Sequence, residues 1–241
     1  MRNYVFFAFV LLLVFTSWSA HAVKIVMISA ADPPAGADVM IIERLQGLGF
    51  EVESHSQDEQ DPVDLTGVDA VVIGEALGSG NVTDGYKDVS IPVITIEAFV
   101  LDDMALGTDG TFNQDQDNML NIVDAHPIAG NLSGTVEIAS AIADICSVGE
   151  VLGDAQIIAE IAANGHTALA IWEAGSNDAD GNPIPARRAF AFLHANLTPL
   201  LNDDGWGLFD RSVLWALDQL TPVNPEGSLP TTWGTIKTHY R

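Results

Sequence analysis

The sequence predicts an α/β fold in which helices cover both faces of a doubly wound, mostly parallel sheet and in which the second half is rich in strands. Residues 24–30 form a short, almost unbroken apolar run, which is typical of a strand buried on both faces. A helical pattern follows at 38–48, with Ile41 and Leu45 on one face and Gly49 at its end. Strands that alternate with helices or loops indicate parallel pairing.

The remaining elements follow the same pattern along the chain. Further strands are predicted at 50–54, 69–74, 91–96, 119–123, 135–139, 156–161, 167–172 and 188–193. A last helix begins near Asp203 and Asp204, because acidic residues suit a helix N-terminus. We expect Pro222 to end the domain, which gives a single domain over 23–221.

The first 22 residues have the pattern of a signal peptide. Arg2 precedes an apolar run from Tyr4 to Phe15, and Ala20-His21-Ala22 has the small residues of a cleavage site. A retained membrane anchor is the alternative, but the run is shorter than the ~20 residues of a spanning helix. We therefore expect a secreted or periplasmic protein that is cleaved near Ala22.

The C-terminal end has a different composition from the domain. Residues 222–230 are rich in Pro, Gly and Ser and are predicted to form a linker. Residues 231–241 are aromatic and basic, and a short helix there would place Trp233, Ile236 and Tyr240 on one face. That face either docks back on the domain or binds another protein or a second copy of the chain.

The charge of the chain is strongly negative. Thirty-three acidic residues stand against nine lysines and arginines, for a formal net charge of −24. Nucleic acids are polyanions, so this balance argues against them as partners. The one cysteine, Cys146, excludes a disulfide within the chain and is interpreted as a buried, inert residue.

Two segments of the first half resemble class I glutamine amidotransferases. Residues 69–80 resemble the family's strand and glycine turn, and 92–99 resemble its next strand and nucleophile elbow. In that family the elbow carries the catalytic cysteine, and here that position holds Glu97. The resemblance therefore implies the fold without the amidotransferase nucleophile.

The second half resembles the trehalose-utilisation (ThuA-like) branch of the same superfamily. The segments that carry this resemblance are 124–132, 171–175, 187–194 and 204–216. Together the motifs cover roughly 24–220 and imply a flavodoxin-like fold with a link to carbohydrate.

The resemblance directs attention to the carboxyl ends of the central strands, where open α/β sheets bind ligands. Glu97 is the candidate for general acid or base chemistry or for binding sugar hydroxyls. Glu75 and His194 also follow strands and are expected near it. The glycine turn adds three candidate ligand-binding residues, which are Gly74, Gly78 and Ser79.

Three further residues are weaker candidates. His126 lies in a predicted turn and is a candidate catalytic residue, although such a histidine is more often a packing residue. Trp172 could offer an aromatic platform to a sugar, but a place in the core is the preferred interpretation. Arg187 could pair with a ligand carboxylate.

No cofactor and no metal are expected. The sequence contains neither an H-E-x-x-H motif nor a cysteine cluster, and the oxygen-rich segments at 113–124 and 178–182 only partly match a calcium loop.

Three functions remain open from the sequence. The first is an exported domain that binds a small polar ligand or saccharide, as an accessory to carbohydrate utilisation. The second is a hydrolase that uses Glu97 with His126 or Glu75. The third is a structural or surface-assembly protein that docks through residues 231–241.

Overall fold

A computed structural model describes residues 22–59, 62–108 and 112–220 of the chain. The predicted signal peptide up to residue 21, the linker and the C-terminal segment 231–241 lie outside these residues. None of the helices in the described ranges is long and apolar enough to cross a membrane.

The described chain forms eleven strands and three α-helices. The helices are α1 (Ala37–Gly47), α2 (Ser79–Val82) and α3 (Asp203–Ala216). The strands are β1 (Lys24–Ser29), β2 (Glu51–Ser56), β3 (Ala70–Ile73), β4 (Val93–Thr95), β5 (Phe112–Asp117), β6 (Met119–Ile122), β7 (Gly134–Glu137), β8 (Ala143–Val148), β9 (Gln156–Ile161), β10 (Thr167–Trp172) and β11 (Arg188–Ala191). The bounds predicted for β9 and β10 are confirmed, whereas β5 and β8 were not predicted.

All eleven strands belong to one mixed sheet. Its main order is β2-β1-β3-β4-β11-β10-β9-β6-β7, and β8 pairs with both β10 and β5. The pairings from β2 through β11 are parallel, and every pairing from β11 onwards is antiparallel. The prediction of a mostly parallel sheet therefore holds for the first half only, and β11 joins the two halves.

Side chains of the parallel strands alternate between two cores, as a strand buried on both faces requires. In β1, Ile25 and Met27 pack with both long helices, α1 and α3. Val26 and Ile28 point to the other face, where α2 and the irregular segments around residues 63–68 and 98–106 cover the sheet. The prediction of helices on both faces is corrected accordingly, because the two long helices share one face.

Two polar contacts fix the long helices on that face. The Asn202 side chain caps α3 by accepting from the backbone N–H groups of Asp204 and Gly205, both at 3.0 Å. Arg44 of α1 donates through Nε (2.9 Å) and an Nη atom (2.5 Å) to the two carboxylate oxygens of Asp210 on α3. The α1–α3 contact is therefore held by a bidentate ion pair.

Candidate functional site

The parallel half of the sheet brings four acidic or basic side chains to one edge. Because β1, β3, β4 and β11 run in the same direction, their carboxyl ends meet at this carboxyl edge. Asp38 lies in the first turn of α1 after β1, and Glu75, Glu97 and His194 follow β3, β4 and β11. We call these four residues the carboxyl-edge cluster.

The side chains of Glu75 and His194 are in hydrogen-bonding contact within the cluster. Nε2 of His194 lies 3.1 Å from one carboxylate oxygen of Glu75, and the other oxygen accepts the backbone N–H of Ala195 at 3.1 Å. The two side chains are only 12% and 8% exposed, so water weakens this interaction little. The structure thus brings together two residues that the sequence placed near each other.

Glu97 is a buried carboxyl group at the end of β4. The residue is 7% exposed, and its Oε1 accepts the backbone N–H of Phe99 at 2.9 Å. Burial raises the pKa of Glu97 to about 7, the Phe99 N–H acts in the opposite direction, and the charge of Glu75 raises it further. Near neutral pH, Glu97 can therefore either donate or accept a proton.

Asp38 belongs to the same cluster, although its sequence pattern indicated only a position in a helix. It is 2% exposed, and burial raises its pKa to about 6, with Glu75 adding to the shift. A Cβ on Gly74 would lie 2.8 Å from Oδ1 of Asp38, so only glycine fits there without a shift. An acidic residue in the first turn of the helix after β1 was the sequence signal available for this site.

Cys146 of β8 lies beside the cluster but does not supply a nucleophile. It is 4% exposed, and burial raises the pKa of the thiol well above its ordinary value. The charges of Glu75, Glu97 and Asp144 act in the same direction. The reactive thiolate is therefore disfavoured, in agreement with the interpretation of an inert cysteine.

The glycine turn after β3 uses two of its backbone N–H groups within the protein. Gly74 donates to the carbonyl of Ile28 at 2.9 Å, and Gly78 donates to Oε1 of Gln57 at 2.6 Å. Ser79 begins the short helix α2. Gln57, which follows β2, thus holds the turn in place, and its role was missed in the sequence. These two N–H groups are not available to an oxyanion in this arrangement.

The remaining predicted site residues lie at the opposite edge of the sheet. Arg187 immediately precedes β11, whereas His194 follows it, and Arg187 pairs with Glu173 at 2.9 Å. Its guanidinium stacks 4.9 Å from the ring of Trp215, whose ring also contacts His126 at 6.0 Å between centroids. His126 and Arg187 therefore do not share a site with Glu97.

His126 and Trp172 have structural contacts in these positions. Nδ1 of His126 accepts the backbone N–H of Ile128 at 3.2 Å, and burial lowers the pKa of the imidazole. Trp172 is fully buried, and its indole N–H donates to the carbonyl of Leu152 at 2.8 Å. The pairing of Glu97 with His126 considered from the sequence is corrected by this separation, and Trp172 lies in the core.

Within residues 22–59, 62–108 and 112–220, no three His, Cys, Asp or Glu side chains are grouped as metal ligands. In the oxygen-rich turn at 178–182, Oδ1 of Asp178 accepts the backbone N–H groups of Asp180 (2.9 Å) and Asn182 (2.8 Å). Lys87 lies 3.2 Å from the Asp180 carboxylate. This turn is thus held by its own chain and a lysine.

Comparison with known proteins gives similarity to solved structures only. No protein-family model matches the chain, and no curated protein sequence matches it significantly. A glutamine amidotransferase from Thermotoga maritima superposes with a TM-score of 0.42 at 11% identity, over 72% of this chain and 76% of that one. The protein SMU.1228c superposes with a TM-score of 0.48 at 12% identity, over 79% of this chain and 99% of that one.

A glutamine amidotransferase is thus among the structures that this chain resembles. At 11% and 12% identity, no residue role passes from either protein to this one. The trehalose-utilisation branch and its link to carbohydrate remain predictions from the sequence.

Proposed function

We propose that the carboxyl-edge cluster binds a small polar ligand such as a saccharide, and that the protein acts as an accessory in carbohydrate utilisation without amidotransferase activity. One observation supports a binding site at this edge of the sheet. Asp38, Glu75, Glu97 and His194 come from four separate elements and converge at the carboxyl edge, with Glu97 buried and its pKa raised to about 7. Perturbed acids at this edge of an α/β sheet are typical of ligand sites.

The cluster offers the polar groups that a hydroxyl-rich ligand needs. A protonated Glu97 donates a hydrogen bond, whereas an ionised Glu75 accepts one. Glu97 is 7% exposed and the Glu75 side chain is 12% exposed, so both are largely shielded from solvent. A ligand hydroxyl that reaches both carboxyl groups would accept from one and donate to the other.

A hydrolase that uses Glu97 with Glu75 is the second candidate. A carboxyl group with a pKa of about 7 suits a general acid, and Glu75 lies close enough for its charge to raise that pKa. In this reaction Glu97 would protonate the leaving oxygen, and Glu75 would activate water or stabilise the developing positive charge. His194, at 3.1 Å from the carboxylate of Glu75, would hold that side chain in position.

A thermal-shift screen of the purified protein tests the binding function. The panel contains saccharides and amino acids, and the comparison is between wild type and Glu97→Ala. A ligand at 100 times its dissociation constant stabilises a protein by about 2.7 kcal/mol, which raises Tm by a few degrees. We expect a saccharide to raise the Tm of wild type and to have no effect on Glu97→Ala.

Glu137→Gln is a matched control, because Glu137 is an exposed acid on β7 at the far edge of the sheet. It should respond to ligand as wild type does. A panel without any shift would contradict the binding function, and equal shifts in wild type and Glu97→Ala would place the ligand elsewhere. Release of reducing sugar that is lost in both Glu97→Gln and Glu75→Gln would favour the hydrolase.

A further inference from the structure

We propose that the carboxyl-edge cluster takes a small ligand that carries a protonated amine. The inference rests on the proposed binding function and narrows the class of ligand. Three carboxyl groups and one imidazole meet there, so the cluster presents more acidic than basic groups to whatever occupies it.

The cations of the described chain are all engaged outside the cluster. They contact other carboxylates or backbone carbonyls, and they are Lys24, Arg44, Lys87, Arg187, Arg188 and Arg211. Arg188 is 1% exposed, and its guanidinium donates only to backbone carbonyls, such as those of Lys87 and Val89. His194 is therefore the one basic side chain that pairs with an acid of the cluster within the described residues.

Two buried oxygens near Glu75 have no partner at hydrogen-bond geometry among the described residues. Oδ1 of Asp38 and Oγ of Ser29 make no hydrogen bond to a described residue, although the residues are 2% and 0% exposed. Ser29 ends β1, and both its hydroxyl and the backbone N–H of Ala30 act as hydrogen-bond donors towards the Asp38 carboxyl, which opposes the rise in its pKa, but Oδ1 itself has no partner at hydrogen-bond geometry. Oδ1 faces Gly74, which directly precedes Glu75. A buried carboxylate oxygen normally accepts a hydrogen bond, so the unpartnered Oδ1 of Asp38 points to a donor on a ligand.

An ammonium group supplies both the positive charge that would balance the acidic cluster and a hydrogen-bond donor for the unpartnered oxygen. It brings three N–H donors and a positive charge, whereas a neutral hydroxyl brings one donor and no charge. A carboxylate or phosphate would be repelled by the cluster. Without a cation, Glu97 and Asp38 hold protons more readily, because burial first and the charge of Glu75 second raise their pKa values to about 7 and about 6.

The amine must therefore displace protons when it binds. The titratable groups around Glu97 and Asp38 are Glu75 from the turn after β3, His194 after β11, and Cys146 and Asp144 of β8. If ionised Glu97 is the form that binds, its population falls on the order of 10-fold between pH 7.5 and pH 5.5. Affinity for an amine should fall with it, as long as the amine itself stays protonated.

Titration calorimetry with matched ligand pairs tests this class of ligand. The pairs are D-glucosamine with D-glucose, 1,4-diaminobutane with 1,4-butanediol, and ethanolamine with ethylene glycol. We expect the amine of at least one pair to bind ~10-fold or more tightly than its neutral partner at pH 7.5. Its affinity should drop ~10-fold or more in Glu97→Gln and at pH 5.5, and should be unchanged in Glu137→Gln.

Three results would overturn the proposal in distinguishable ways. A neutral partner that binds as tightly as its amine would exclude the amine requirement and leave the polar-ligand function standing. Equal losses in Glu97→Gln and Glu137→Gln would assign binding to the overall negative charge of the protein. If no amine binds, the amine class is wrong, and the thermal-shift panel decides separately whether the edge binds another polar ligand.

Discussion

Nε2 of His194 lies 3.1 Å from the carboxylate of Glu75, which joins the end of β11 to the end of β3 across β4. The contact places Glu75 beside Glu97, which follows the intervening strand β4. The charge of Glu75 raises the pKa values of both Glu97 and Asp38. Glu75 is therefore the electrostatic centre of the cluster.

Replacing Glu75 with glutamine should lower two pKa values at once. Glu75→Gln keeps the side-chain size but removes the negative charge that opposes ionisation of Glu97 and Asp38. The pKa of Glu97 should fall below about 7 and that of Asp38 below about 6. Both should stay above their ordinary values, because burial is the larger cause of each shift. A carbon-13 NMR titration of the carboxyl groups measures this, with Glu137→Gln as the control. Unchanged values would show that Glu75 does not couple to the other acids.

The sequence located the carboxyl edge because the order of the parallel strands can be recognised from buried apolar runs. Glu75, Glu97 and His194 each follow such a run, and the structure brings them to one edge. Arg187 precedes its strand instead of following it, so its place at the opposite edge was also readable from the sequence. Asp38 was missed because an acid in the first turn of a helix ordinarily stabilises the helix dipole.

The direction of the strands in the second half was harder to predict. β9 and β10 are separated by only five residues, and such a short connection joins antiparallel neighbours, because a parallel crossover needs a dozen residues or more. This signal argues against a mostly parallel sheet. β5 has the sequence FNQDQD, which lacks an apolar alternation, and its pairing with β8 is a long-range contact that local patterns do not reveal.

The close approach of Gly74 to Asp38 predicts a large effect from one methyl group. In Gly74→Ala, the new Cβ would lie 2.8 Å from Oδ1 of Asp38 and 3.1 Å from the carbonyl oxygen of Ile28. We expect a loss of about 1–3 kcal/mol in the free energy of unfolding, the usual cost of overpacking a core. Urea denaturation measures it.

Gly78→Ala is the matched control in the same turn, because its Cβ meets nothing nearer than 3.6 Å. Its stability should stay within ~0.5 kcal/mol of wild type, as for ordinary surface changes. Equal losses in the two variants would show that the turn, and not the contact with Asp38, is sensitive to substitution.

The burial of Cys146 predicts an unreactive thiol. Its pKa is raised by burial first and then by the negative charges of Glu75, Glu97 and Asp144, so native protein should react with Ellman's reagent at pH 8 at least ~100-fold more slowly than protein unfolded in guanidinium. The chain has one cysteine, so the absorbance change reports this residue alone. Rapid labelling of the folded protein would contradict the buried position. Cys146→Ala should keep the ligand response, since the thiol has no part in the proposed binding.

The raised pKa of Glu97 predicts how stability depends on pH. The ordinary pKa of this group is 4.5, and its pKa in the folded chain is about 7. Between these two pH values Glu97 is ionised in the unfolded chain but still protonated in the folded one. Stability from this group is therefore fully present below pH 4.5 and is lost as pH rises through about 7. At 1.36 kcal/mol per pKa unit, the loss between pH 5 and pH 8 is about 2–3 kcal/mol for so buried a residue.

Glu97→Gln cannot ionise and should avoid that loss. The difference in unfolding free energy between Glu97→Gln and wild type should rise in favour of the variant by about 2–3 kcal/mol from pH 5 to pH 8. Asp38 and the other acids titrate in both proteins, so their contributions cancel in the difference. Urea denaturation at pH 5, 6.5 and 8 measures it, with Glu137→Gln, which replaces an exposed acid on β7, as the control. A constant difference for Glu97→Gln would mean that Glu97 ionises alike in the folded and unfolded chains, and the proton exchange expected on amine binding would then have no source in this residue.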